Sequence, residues 1–347
     1  MSFSSFFAGF FYNRIEGTSK SDHLFGTSDH DWIEGFAGDD QLFGKRGDDQ
    51  LFGGDGYDKL FGESGHDELF GGSGNDFLDG GEGDDWLEGG KGDDSIKGGK
   101  GHDDLYGDSG NDFLVGGAGR DYFDGGAGID TVSFADEVAK VVVNLADGDA
   151  DGADGREHLD DIENLIGSRF ADTLIGDSKD NKIEGGEGGD KIFSGKGNDT
   201  LDGGHGDDKL FGEKGNDKLN GGSGDDELEG GAGDDNLLGL LGDDILNGTD
   251  AHSAGRGERD FIITGEGYDT IILGDAHQAY YVGKGFDDFV GIADFTVGKD
   301  KLVLFGSADK YTVREGSGNT QILLGSDRIA FLEGVGHLNL ETSAHFV

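Results

Sequence analysis

One apolar position recurs at every ninth residue from Leu24 to Val132, and the residues on either side of it are mostly polar. A single apolar residue in nine cannot make a helix face. Each such position is therefore read as the middle of a three-residue strand whose central side chain points inward. The other six residues of the unit must turn. Two units, strand–turn–strand–turn, close one coil of 18 residues, and successive coils stack at about the 4.8 Å spacing of neighbouring strands. The pattern predicts an all-β solenoid of stacked coils.

The polar positions carry the same period. Aspartate stands at 22, 31, 40, 49, 58, 67, 76, 85, 94, 103, 112, 121 and 130, always two residues before the apolar position and five after a glycine. In the fullest units, Gly71–Asp79, Gly80–Glu88, Gly89–Lys97 and Gly98–Tyr106, the pattern is G-G-x-G-x-D-x-U-x. After an interruption the comb resumes at Asp172, continues through Asn181, Asp190, Asp199, Asp208, Asp217, Asp226 and Asp235, and ends at Asp244, for 22 registers in all. A period sustained over so many units defines a repeat architecture.

Glycines at the first, second and fourth positions permit positive φ and expose bare carbonyls, so the turn can curl tightly and aim its oxygens at a common point. Aspartates one coil apart, such as Asp76 and Asp94, lie one above the other. Two unit charges at that spacing repel by about 1 kcal/mol even in water, and a cation between the turns removes the repulsion. Carboxylates plus carbonyls on a flexible loop suit calcium better than zinc or magnesium.

Composition agrees with this reading. There are 74 acidic against 27 basic side chains, a formal net charge of −47, which argues against nucleic acid and anionic membranes as partners. The 72 glycines are locked in phase with the apolar positions, so they indicate a solenoid and not a flexible linker. With no cysteine there is no disulfide framework and no thiolate metal site. H-E-x-x-H, G-x-S-x-G and G-x-x-x-x-G-K-[ST] are all missing from the sequence, so the chain is expected not to be an enzyme. No apolar run is long enough to suggest a transmembrane segment.

The nonapeptide resembles the repeat of the RTX, or haemolysin-type calcium-binding, family. The resemblance implies a parallel β-roll (RTX β-helix solenoid) in which each calcium ion is held between turns one coil apart. One such site would take Asp76 with the carbonyls of Gly72 and Gly74, and Asp94 with the carbonyls of Gly89 and Lys91. Registers that keep the fourth-position glycine are Asp40, Asp49, Asp58, Asp67, Asp76, Asp85, Asp94, Asp103, Asp112, Asp121 and Asp130, then Asp190, Asp199, Asp208, Asp217, Asp226, Asp235 and Asp244. They suggest roughly 14 calcium ions, and up to about 18 if degenerate turns also bind. Lys20, Asp29, Phe170 and Lys179 replace that glycine elsewhere, Asn181 replaces an aspartate and Ser194 a first glycine, and these departures weaken their sites.

The expected organisation is an N-terminal cap over 1–16, a first block over 17–134, a connector over 135–166, a second block over 167–247, and a β-rich capping and secretion region over 248–347. Residues 1–12 contain five phenylalanines and no secretory signal pattern, which favours a cap over the open end of the first block. In the connector, Asp147-Gly-Asp-Ala-Asp-Gly152 matches the opening of an EF-hand loop, but its twelfth position is His158. It reads either as an extra calcium site or as an acidic turn. Beyond Gly248 the repeat decays through Asp260 and Asp269, each followed two residues later by isoleucine. Asp294–Leu302 and Arg328–Val335 resemble C-terminal segments of the same family, whose C-terminus carries an uncleaved type I secretion signal. Glu341 with Phe346 and Val347 matches such a signal weakly.

Phenylalanines recur at the ninth position, among them Phe25, Phe43, Phe61, Phe52, Phe70, Phe193 and Phe211. They make outward ladders, for which stacking between coils is a simpler account than a partner. His30, His66, His102 and His205 occupy turn positions that any polar residue could fill. The expectation is a secreted, extracellular protein that leaves the cell unfolded and folds where calcium is abundant, with a structural or adhesive role toward a cell surface, polysaccharide or another protein. The alternative is a host-directed or membrane-active effector resembling the nodulation-type proteins of the family, and a less favoured one is a calcium-dependent enzyme whose site no motif marks.

Overall fold

The computed structural model describes residues 12–153, 155–249, 257–282 and 288–347, and within them the chain is built almost wholly from short strands. It divides into two compact units, residues 1–138 with 148–164 and residues 139–147 with 165–347. The residues expected to form a connector are thus shared between the units.

In the first unit the strands of the repeat pair in parallel, each with the strand one coil on. Lys59–Ser64 pairs with Phe77–Glu82, matching Leu60 to Leu78, and Glu68–Ser73 pairs with Trp86–Lys91, matching Leu69 to Leu87. Both offsets equal two repeat units, the coil length expected from the apolar period. The recurrent apolar residues form the core: Ile33, Leu42, Leu51, Leu60, Leu69, Leu78 and Leu87 have no solvent exposure. Alternation along each strand leaves their neighbours outside.

Of the residues expected to form a cap, 1–11 lie outside the described residues, and Asn13–Glu16 forms a rung in parallel register with Asp31–Glu34. At the other end of this unit, Tyr122–Asp124 pairs in parallel with His158–Asp160, and Asp149–Asp151 folds back antiparallel on Arg156–Asp160.

In the second unit Val142–Asn144 pairs with Thr173–Ile175, and the two-repeat offset then carries Leu174 to Ile192 and Ile192 to Leu210. The parallel pairing does not stop at residue 247. Leu237 matches Ile262 and Leu246 matches Ile271, and Ile271 in turn matches Leu302, each a longer step than two repeats. The added residues leave the inward side chains in step. The β-rich end of the chain is an antiparallel sheet of Tyr311–Gly316, Asn319–Leu324 and Asp327–Leu332, joined to the last rungs through Val290 opposite Ala330. Glu341 lies in the short helix Leu340–Ser343, and Phe346 in a strand paired with Leu302–Leu304.

The aromatic ladders stack between coils. Phe25, Phe43 and Phe61 follow one another at centroid distances of 5.0 and 4.9 Å with planes within 11°. Phe52 with Phe70 and Phe193 with Phe211 are equally parallel, at 4.9 and 4.8 Å. Rings stacked on one another present edges to solvent, and the stacking itself stabilises adjacent rungs. Among the described residues no helix is long and apolar enough to cross a membrane.

Candidate metal centres

The turns that join the strands carry positive φ at their second and fourth positions. Gly72 and Gly74 have φ of 110° and 141°, and Gly90 and Gly92 one coil on have 106° and 116°. A Cβ on Gly90 would collide with the carbonyl oxygen of Gly72, and one on Gly92 with that of Gly74. The carbonyls of Gly72 and Gly74 therefore face the turn of the next coil, and only a hydrogen fits between.

From Asp31 on, the aspartate of each turn is buried. Asp76 and Asp94 expose only 2% and 3% of their surface, and the carboxylates are held by a ladder running through the stack. The N–H of Asp58 donates to Oδ1 of Asp76 at 2.8 Å, and the N–H of Asp76 to Oδ1 of Asp94 at 2.7 Å. The same bond, at 2.7–2.9 Å, joins the preceding coil to Asp40, Asp49, Asp58, Asp67, Asp85, Asp103, Asp112, Asp121 and Asp130. In the second unit it serves Asp190, Asp199, Asp208, Asp217, Asp226 and Asp244, and, across a longer step in sequence, Asp260 and Asp269. Asp235 accepts likewise from Asp217 at 2.8 Å.

The second carboxylate oxygen is different. Oδ2 of Asp40, Asp49, Asp58, Asp67, Asp76, Asp85, Asp94, Asp103 and Asp112 is buried with no hydrogen-bond partner, as is that of Asp190, Asp199, Asp208, Asp217, Asp226, Asp235 and Asp244. Asp121 and Asp130 hold the same place in the ladder and make further interactions. A buried anionic oxygen without a donor is costly, and its repetition in register calls for a cation. It points at the first glycine of its own turn: a Cβ on Gly71 would meet Oδ2 of Asp76 at 2.6 Å and the carbonyl oxygen of Gly89 at 2.7 Å.

The six groups expected to make one site thus lie on two stacked turns. Asp76, Asp94, Gly72, Gly74 and Gly89 offer oxygens on the facing sides, while the carbonyl of Lys91 already accepts the N–H of Gly74 at 2.7 Å. Among the described residues no three His, Cys, Asp or Glu side chains converge as a metal cluster. A site here must combine carboxylate with main-chain carbonyl, the all-oxygen set that calcium takes at about 2.3–2.6 Å. The residues fit the ion.

Burial raises the carboxyl pKa from Asp40 to Asp112, at Asp172 and from Asp190 to Asp244; main-chain N–H bonds take back part of the shift, and at most of these positions neighbouring carboxylates add to it. Burial pushes Asp94 up to about 7, with Asp76, Asp112 and Asp93 contributing to the rise. Asp67, Asp103 and Asp235 reach about 8 for the same reasons.

Two features go beyond the sites expected from sequence. Asp269, in the decaying part of the repeat, also has a buried Oδ2 without a partner, in a turn whose Gly265 and Gly267 have φ of 102° and 159°. Its segment Thr264–Ile272 is a nonapeptide with threonine in place of the first glycine, a signal that was open to detection. The second is a ladder at the fifth position. Asp48 N–H donates to Nδ1 of His30, Asp84 N–H to His66 and Arg120 N–H to His102, at 2.7, 2.8 and 2.9 Å. Asp39, Asn75, Asp93 and Asn111 accept in the same way, so the three histidines are coil-to-coil acceptors. His205 instead meets the hydroxyl of Ser223 at 2.7 Å.

The EF-hand-like hexapeptide does not form a loop. Asp149–Asp151 is an extended strand, Asp149 is paired with Arg156, and the Asp147 carboxylate accepts from the Asn144 amide at 2.7 Å. Those carboxylates already have partners, which favours the acidic-turn reading.

A parallel β-solenoid with glycine turns and a buried aspartate in each turn defines a repeat protein of the calcium-binding class. A family model for the RTX calcium-binding nonapeptide repeat matches residues 16–51, 44–78, 79–114, 101–132, 166–201, 184–219 and 220–251. These windows span more than half of the sequence, and the chain belongs to that family. A search of curated proteins finds no match. Among solved structures, the chain is similar to the extracellular lipase LipA from Serratia marcescens, at 20% identity and a TM-score of 0.21 over 77% of this chain. It spans 40% of the length of that structure.

Proposed function

We propose that this is a secreted, non-enzymatic calcium-binding protein that folds outside the cell, where calcium is abundant, and serves as a structural or adhesive surface element. The observation that carries the reading is the buried Oδ2 oxygen left without a donor in turn after turn. With a formal charge of −47, the calcium-free chain repels itself and resists compaction. Binding only to the folded state then makes metal affinity a folding free energy. Bound calcium supplies a positive charge between stacked turns. The chain contributes the carboxylate and carbonyl oxygens, the ladder that orients each carboxylate, and the stacked core that keeps the turns in register.

Circular dichroism during a calcium titration tests the folding step. Strand signal should be weak in chelator and rise cooperatively with calcium, and full strand content in chelator would sink the reading. The adhesive role is tested by adding calcium-loaded protein to cell surfaces and polysaccharides, with vesicle leakage measured in parallel. Leakage without surface binding would favour the membrane-active alternative.

A further inference from the structure

Not every comb aspartate has an orphaned oxygen. Oδ2 of Asp22 accepts from the N–H and hydroxyl of Thr18 at 2.6 and 2.8 Å, and Oδ2 of Asp31 from those of Thr27 at 2.6 and 3.1 Å. At the start of the second block Oδ2 of Asp172 accepts from the N–H and hydroxyl of Ser168 at 2.6 and 2.9 Å. Near the other end the wholly buried Tyr281 hydroxyl donates to Oδ2 of Asp260, and the N–H of Thr296 to Oδ2 of Asp300 at 2.6 Å.

The backbone separates the two kinds of turn. Where Oδ2 is orphaned, the second position has positive φ, whether glycine as at Gly54, Gly72 and Gly90 or a side chain as at Phe36, Lys45 and Leu240. That conformation turns the second-position N–H away from the aspartate. Thr18, Thr27 and Ser168 are not among the positive-φ residues, and their N–H reaches the carboxylate. The donor that calcium would replace is then already in place.

We propose that the chain contains two functional kinds of register: calcium turns, marked by an orphaned Oδ2, and self-satisfied turns at Asp22, Asp31, Asp172, Asp260 and Asp300 that take no ion. This rests on the calcium reading above and deepens it. The self-satisfied turns stand at the start of the first block, at the start of the second and beyond Asp244, where the runs of calcium turns begin or end. The ladder makes the placement explicit, since Asp22 leads to Asp40 and Asp31 to Asp49, while Asp235 leads to Asp260 and Asp269 to Asp300. Such turns bound the runs of calcium turns without needing a shared ion. Hydroxyl and N–H donors perform there, without metal, the task that the cation performs inside.

The test is the number of calcium ions bound by the full chain, counted by native mass spectrometry and isothermal titration. Thr27→Gly and Ser168→Gly remove the hydroxyl and free the second position to take positive φ. Tyr281→Phe removes only the hydroxyl from Asp260. Each variant should bind one ion more than the parent, and Thr27→Ser, which keeps both donors, should bind the same number. Unchanged counts in all three donor-removing variants, with the parent still binding calcium and the strand signal intact, would overturn the proposal. A parent that binds no calcium would instead overturn the calcium reading itself. If Tyr281→Phe fails to fold, the two turn variants decide.

Discussion

The main-chain N–H of Asp76 holds Oδ1 of Asp94 at 2.7 Å across adjacent coils, and leaves Oδ2 of Asp94 buried without a donor. One carboxylate thus does two jobs. Its first oxygen ties the coils together, and its second is the anionic end of a calcium site.

Asp94→Asn keeps an oxygen able to accept the Asp76 N–H but removes the charge. We expect one calcium fewer per chain and a calcium-loaded state less stable by about 2.7 kcal/mol if the lost site was held at a hundredfold its dissociation constant. Titration calorimetry with urea unfolding in calcium checks both. An unchanged stoichiometry would show that Asp94 does not ligate.

The pH dependence of the metal-free chain follows from the carboxyl shifts. Asp49 and Asp76 lie at about 6, Asp94 and Asp208 at about 7, and Asp67 and Asp103 at about 8 in the fold, all above the unfolded value of about 3.9. The folded state therefore binds more protons than the unfolded one between these values. That contribution is fully present below about pH 4 and is lost as pH rises through 6 to 8. In chelator, strand content should be greatest in acid and fall toward pH 8. With calcium present the order reverses, because protons displace the metal. Circular dichroism against pH, with and without chelator, reads both; strand content in chelator that rises with pH would refute the first.

Gly74→Ala drives a Cβ into the carbonyl oxygen of Gly56 on a backbone with φ of 141°. The strain and the collision together should cost about 1–3 kcal/mol or more. Gly298→Ala, where φ is 92° and nothing lies within 4 Å, carries only the conformational strain. Urea unfolding in saturating calcium should rank Gly74→Ala as clearly the worse of the two.

Leu87 has no exposed surface and Trp86 beside it is 38% exposed. Leu87→Ala should lose about 2–5 kcal/mol by emptying a core rung. Trp86→Ala, whose ring stacks on Tyr106 at 4.4 Å, should lose about 0.5–1.5 kcal/mol beyond the contribution of its partial burial. Similar losses at both positions would mean that the inward and outward faces are misassigned.

Much of the fold and site was legible because each rung repeats one simple demand. An inward Leu87 and a buried Asp85 recur at fixed spacing, so their period survives in the linear chain. The rungs at Asp260 and Asp269 were harder to see, since insertions stretch their spacing beyond two repeats while the pairing of Ile262 and Ile271 stays in step. The fifth-position ladder was hidden for another reason. Histidine, asparagine and aspartate all accept a hydrogen bond there, so the function is common to residues that share no letter. At Asp149 the pattern left two readings open, and the pairing of its carboxylate with Arg156 favours the acidic turn.

The sequence alone determined the coil, the inward side chains and the oxygen chemistry of the turns, since each depends on residue type and spacing. Only the tertiary structure decided which aspartates still lack a donor. That depends on whether the second-position N–H points toward the carboxylate, which the sign of φ at residues such as Thr27 and Gly72 sets and spacing does not record. It also depends on distant groups such as Tyr281, which folding brings to Asp260 from well along the chain.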